Sequence, residues 1–258
     1  MKPLITILTI ATIFLLPQGT LSAEDMITRA NGQIIRGEVT QVFPDGVSMR
    51  YLDERSNREV TLKFFYRDMK SLQLNIPASY EEGMKLFGEG KYQQAIEKLD
   101  PIVTKYKGAI DPRVGIAMIT LADAYVAMNN LAKAGPIYDE FAKLYPSEAS
   151  RANVGLAKIA NSKGQTDKVM ELLADFEKLA AETKSPNRAQ ERAFSEAFFI
   201  LGQAYEQKKD YSKALECYLK SAVLYSGYQE MAAQARAKAD ALRKTHNPEK
   251  QTPVVFVP

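Results

Sequence analysis

Residues 201–218 read LGQAYEQKKDYSKALECY. Gly202 is followed by Tyr205 at plus three, Tyr211 at plus nine, Ala214 at plus twelve and Tyr218 at plus sixteen. The same offsets recur upstream. From Gly83 they fall on Leu86, Tyr92, Ala95 and Leu99, with Gly90 at plus seven. From Ala122 they fall on Tyr125, Leu131, Ala134 and Tyr138, with Pro146 at plus twenty-four. From Ala157 they fall on Ala160, Thr166, Val169 and Leu173, with Gly164 at plus seven. Two helices that cross closely need a slim residue wherever the other passes. Gly83, Ala122, Ala157 and Gly202 supply it on the first helix of each pair, and Ala95, Ala134 and Ala214 on the second. A bulky side chain there overpacks by ~1–3 kcal/mol.

These residues resemble the tetratricopeptide repeat, a helix–turn–helix unit of about 34 residues. The resemblance covers residues 77–227 as four repeats whose starts lie 39, 35 and 45 residues apart. The second and fourth copies match best and the third is poor. GAIDPR at 108–113 and ETKSPNRAQ at 182–190 read as insertions. KLYPSEASRANVGLAKIA is similar to stretches of exported bacterial repeat proteins that serve envelope assembly. Each unit buries its face only against neighbours, so the array needs a closing helix. The alanine-rich residues 228–245 are expected to provide it as a C-terminal cap.

The resemblance implies a groove lined by the first helices and filled by a protein or peptide partner. It puts Met84 and Phe87 there from the first repeat, and Ile119, Asp123 and Val126 from the second. Arg151, Val154, Lys158 and Asn161 come from the third, and Phe199, Gln203 and Glu206 from the fourth. For Phe87, Ile119 and Phe199, packing against a neighbouring helix is an equally good account. Asp123 stands where the family's carboxylate clamp has an amide, so a clamp of that type is not expected. Arg151 and Lys158 near the middle suit an acidic and apolar peptide, while Gln203 and Glu206 are expected to stay free of packing.

Residues 24–76 have a different texture, with the alternation of half-buried strands. Asn31-Gly32 is a tight-turn signal whose type I′ form needs positive φ at both positions. It separates MITRA from QIIRGEVTQVF, and Pro44-Asp45-Gly46 closes that second strand. Val47, Met49 and Tyr51 alternate with polar residues, as do Val60, Leu62 and Phe64. FFYRDMKSLQL reads as a short helical turn and a fifth strand, with a bulge expected at Gly37. Five short strands predict a small closed β-barrel. The segment resembles the Src-homology-3-like and Sm-like barrels of exported bacterial proteins. Its eight basic and eight acidic residues balance, which argues against nucleic acid as a partner.

Residues 1–23 carry an export signal pattern: Lys2, an apolar run from Leu4 to Leu16, then Leu21-Ser22-Ala23. The run is too short to span a bilayer, which takes about 20 residues. No cysteine lies near the cut, so no lipid anchor is expected, and no stable membrane span remains after cleavage. The chain is then periplasmic or secreted, beginning at Glu24. Residues 246–258 read as a flexible tail ending TPVVFVP, whose Val254–Val257 run suits addition to a sheet edge.

Chemistry-bearing motifs are absent. The 258 residues hold one histidine, His246, and one cysteine, Cys217. They carry no phosphate loop, metal-binding pair or nucleophile elbow. Cys217, beside the core position Tyr218, reads as a small packed hydrophobe. The expectation is an α+β multidomain protein: a small five-stranded β-barrel followed by an all-α solenoid of tetratricopeptide repeats. It would act as a non-catalytic scaffold without cofactor or metal, binding protein or peptide partners in envelope assembly. The alternative is a peptidoglycan-binding or enzyme-associated accessory module.

Overall fold

The computed structural model describes residues 24–246. The expected signal segment and most of the expected tail lie outside the described residues.

Five antiparallel strands come first: β1 (Asp25–Arg29), β2 (Ile34–Phe43), β3 (Gly46–Asp53), β4 (Arg58–Phe65) and β5 (Met69–Gln73). A single 3-10 turn, Tyr66–Asp68, precedes β5. The strand order is β4-β3-β2-β1-β5. The sheet is therefore open, and the expected closed barrel is not formed. Strand alternation reveals which face is buried, but closure needs β4 to pair with β5, and both remain edges. Two local expectations also change. The register shift in β2 lies between Val39 and Gln41, while Gly37 pairs regularly with Asp25. Only Gly32 of the Asn31-Gly32 turn has positive φ, at 86°. Its N–H donates to the Arg29 carbonyl at 2.9 Å, a type I turn closed by a left-handed glycine.

The helices follow in pairs. α1 (Ser79–Gly88) and α2 (Tyr92–Tyr106) form the first, α3 (Pro112–Ala127) and α4 (Leu131–Leu144) the second. In the third pair α5 (Ala149–Ser162) faces a broken partner, α6 (Thr166–Leu172) and α7 (Phe176–Glu182). In the fourth, α8 (Arg188–Gln207) faces α9 (Tyr211–Leu219), which runs on into a π-helical turn at Lys220–Leu224. A last helix, α10 (Gln229–His246), packs on α8 and α9. Tyr92, Leu131, Thr166 and Tyr211, the four plus-nine residues, are the first residues of α2, α4, α6 and α9.

The small residues sit where the helices cross. Ala95, Ala122, Ala134, Ala157 and Ala214 are fully buried. A Cβ on Gly202 would lie 2.6 Å from the Tyr218 ring. At Gly155, which the offsets do not mark, it would lie 2.2 Å from the Tyr138 ring, where α4 meets α5.

Sheet and solenoid share one core. Ile27, Val39, Val47 and Met49 belong to the same buried cluster as Leu99, Ile102, Val114 and Met118. Polar contacts fasten the seam. Arg113 at the start of α3 donates to the Leu74 carbonyl at 2.9 Å and pairs with Asp111 at 2.6 Å. Lys105 of α2 pairs with Glu38 of β2 at 3.2 Å, and the Arg50 guanidinium on the same carboxylate holds it below its usual pKa. Asp25 is 3% exposed, and its two carboxylate oxygens accept the N–H groups of Val39 and Asn75, each at 2.7 Å.

Candidate partner-binding groove

The first helices of successive pairs, α1, α3, α5, α8 and then α10, contact one another in that order. They carry all twelve of the groove residues expected from the sequence. Ten of those side chains are half-buried and two are buried, and most are engaged with the chain itself.

On the apolar side, Met84, Phe87 and Val126 pack against the shared core, and the Phe87 ring meets Tyr92 edge-on at 5.6 Å. Phe199 lies 5.7 Å from the Tyr218 ring. Ile119 and Val154, also expected in the groove, are buried.

The polar residues join three clusters that bridge neighbouring first helices. In the first, Lys158 of α5 pairs with Glu196 of α8 at 2.6 Å, and Arg192 reaches the other oxygen of Glu196 at 3.2 Å. Asp123 of α3 accepts a short hydrogen bond from the Tyr138 hydroxyl. Burial raises the Asp123 carboxyl, against the pull of the Lys158 ammonium. The same burial disfavours the charge on Lys158, but the carboxylates of Glu196 and Asp123 outweigh it and the lysine pKa is raised. Two cations thus meet two acids. In the second cluster, Asn161 donates to Gln203 at 2.8 Å, and Gln207 of α8 takes the Thr166 hydroxyl at 2.5 Å. In the third, Glu206 accepts from the Tyr218 hydroxyl at 2.7 Å and from Lys238 of α10 at 3.3 Å. Gln203 and Glu206 are therefore not free, contrary to expectation. Arg151, in the first turn of α5, pairs with Glu148 at 2.6 Å and lies over the Phe141 ring.

The clusters fix helix against helix. A buried ion pair adds little net stability against an apolar replacement, but removing one partner strands the other at a cost of about 3–5 kcal/mol. Glu196, Arg192 and Tyr138 were missed as members of the first cluster. The signal was present: opposite charges, Asp123 and Lys158, occupy the plus-one position of consecutive repeats.

Among the described residues, no group of His, Cys, Asp and Glu is placed to hold a metal, and no helix is long and apolar enough to cross a membrane. Cys217 is buried among Phe198, Leu201 and neighbouring apolar residues, and burial pushes its thiol up to about 12. It is inert at neutral pH.

Comparison with known proteins matches two tetratricopeptide-repeat family models to the chain. One covers residues 80–149 and 119–168, the other residues 195–228. A solved structure of Podosopora anserina kinesin light chain repeats, described as nearly identical TPR-like repeats, is 15% identical with a TM-score of 0.50. The alignment covers 67% of this chain and 87% of that one. MamA from Desulfovibrio magneticus RS-1 aligns over 69% of this chain and 99% of its own at 15% identity, but its TM-score of 0.39 adds nothing to the assignment. No curated protein matches the chain. At this identity the likeness speaks for the fold alone, and with the family models it identifies residues 80–168 and 195–228 as tetratricopeptide repeats.

Proposed function

We propose that this chain is a non-catalytic scaffold that holds partner polypeptides along the face formed by α1, α3, α5, α8 and α10. The observation that carries this reading is the repeat array itself, which places successive first helices side by side with half-buried apolar and polar side chains along them. Apolar contact from Met84, Phe87, Val126 and Phe199 would anchor a partner, with Asn161 and Gln203 offering amide contacts. The ion pairs at Lys158 and Arg151 shift the preference away from a strongly acidic peptide, since both charges are already matched.

Export completes the proposal. The pattern in residues 1–23 supports cleavage after Ala23 and action outside the cytoplasm, in envelope assembly or organisation. Mass analysis of the chain recovered from native cells would read an N-terminus at Glu24, and an intact leader would overturn this part.

The groove is tested by photo-crosslinking in native cells. Photoreactive residues at Val126 and Gln203 on the first helices are compared with others at Gln93 and Asp139, exposed on α2 and α4. Capture of a discrete partner from the first pair alone supports the groove. Equal capture from both faces, or none from either, removes it. Charge reversal at Lys158 is a poor test, because Lys158→Glu puts a third carboxylate beside Glu196 and Asp123 and damages packing first.

A further inference from the structure

The sheet ends in two unlike edges, β4 and β5. β5 is five residues long, and the ladder that joins it to β1 shifts register between Thr28 and Arg29. β4 runs for eight residues without proline or glycine, and its register with β3 is unbroken from Arg58 to Phe65. Native edges are commonly kept short, bulged or interrupted by proline, because a long regular edge pairs with other strands. β4 has none of these protections.

The hydrogen-bond phase of β4 shows which backbone groups are on offer. Gly46 stands opposite Phe65, and one step further the Tyr66 N–H donates to the Asp45 carbonyl at 2.9 Å. Bonded pairs alternate along an antiparallel ladder. Phe64, Leu62, Val60 and Arg58 therefore bond to β3, while the N–H and C=O groups of Glu59, Thr61, Lys63 and Phe65 point to the open side. The side chains alternate as well. Val60, Leu62 and Phe64 share the face that looks toward the helices, where Phe64 packs on the core. Leu62 stands opposite the fully buried Met49, yet is itself 50% exposed. The helices leave the outer margin of this face uncovered.

The sequence of β4, REVTLKFF, is complementary to itself about Thr61. Laid antiparallel on a second β4 with Thr61 opposite Thr61, it sets Val60 against Leu62 and Glu59 against Lys63, each pair occurring twice. The outward-pointing residues Glu59, Thr61 and Lys63 are then the ones that bond across the join, as the alternation requires. The uncovered Leu62 gains an apolar neighbour, and opposite charges meet directly across the strands. An edge lysine ordinarily discourages an added strand. Lys63 already pairs with Asp45 at 2.7 Å, but an ammonium has three donors and can accept a second carboxylate. Sliding the partner by two residues puts Glu59 opposite Thr61 or Phe65 and breaks both charge pairs. We propose that β4 pairs with β4 of a second copy of this chain about a two-fold axis at Thr61, joining the two sheets into one. The contact is isologous and independent of the groove on the first helices.

Sedimentation equilibrium of the full chain and its variants tests this. The parent should show a monomer–dimer equilibrium. Thr61→Pro removes an outward N–H and no bond to β3, a position where an edge strand tolerates proline, and should abolish the dimer. Glu59→Lys and Lys63→Glu each set like charges opposite one another, and each should weaken dimerisation at least tenfold. An equimolar mixture of those two variants restores both charge pairs between unlike chains and should dimerise again. That recovery can come only from a contact between chains, so it decides the matter if Thr61→Pro disturbs the sheet or Lys63→Glu is weakened by losing Asp45. A dimer retained by Thr61→Pro, or a mixture that associates no better than its components, overturns the proposal. So does a parent that stays monomeric, which would leave the edge to a strand of a different protein.

Discussion

At Lys209, in the turn between α8 and α9, φ is 62°. The equivalent residues of the other repeats are Gly90, Asn129 and Gly164, with φ of 74°, 57° and 69°. All four are the plus-seven position, so every repeat turns through the left-handed region. Glycine enters it freely, whereas a residue with a Cβ loses roughly 1–2 kcal/mol. Lys209→Gly removes that loss but loosens the unfolded chain by about 0.4–1 kcal/mol. Thermal denaturation should show a net gain of up to about 1.6 kcal/mol, and a lower melting temperature would refute the strain. Gly202 illustrates the opposite constraint. Its hydrogen faces the Tyr218 ring, and Gly202→Leu should lower the melting temperature sharply, by at least the ~1–3 kcal/mol of ordinary overpacking. An unchanged melt would sink the packing register.

At the scale of elements, the helices were legible because their determinants are local. A slim crossing residue, a turn and a fixed helix start recur at set offsets in Gly83, Gly90 and Tyr92 as in Gly202, Lys209 and Tyr211. The break between α6 and α7 was not legible. Leu173, Phe176 and Ala180 all enter one apolar cluster, and a straight helix could not be inferred or excluded from that pattern alone. The sheet was legible as strands and faces, but its openness depends on two distant edges that alternation does not describe. The polar clusters of the groove were hidden for a related reason: single-residue inspection treats Lys158 and Gln203 as surface, and only the stacking of repeats brings Glu196 and Asn161 against them. α10 shows what a terminal element must do. Ala232, Ala235, Ala239 and Leu242 are buried, and Leu242 joins Leu215 and Tyr218 in a small core. Leu242→Ala should cost about 2–5 kcal/mol in denaturant titration. Hydrogen exchange should speed first in α9 and α10, and uniform loss of protection across the array would contradict a separate terminal core.

For the whole molecule, Asp25 ties the sheet to the chain entering the solenoid, since its carboxylate spans β1, Val39 and Asn75. Burial lifts its pKa above the ordinary 3.8, and the two N–H groups only partly offset that. The folded form therefore holds this proton more tightly than the unfolded one. Stability from Asp25 is complete below 3.8 and is lost as pH rises through the raised folded value. Asp25→Asn should flatten stability against pH over that interval, measured by urea denaturation from pH 3.8 toward neutrality. It should also lower stability by about 1–3 kcal/mol, because the amide can accept only one of the two N–H groups. A pH slope identical to that of the parent would rule out titration of Asp25.

Tyr138 pressed against Gly155 sets a limit on how such an array can change its length over generations. Aligning Ala157 with Gly202 puts Ile200 in the place of Gly155, so a deletion that joined α4 directly to α8 would push a branched side chain into the Tyr138 ring. Repeats of one family are often imagined as interchangeable beads. Here the third bead is cut to fit the second, and a lineage that lost it would need to shrink Tyr138 at the same time.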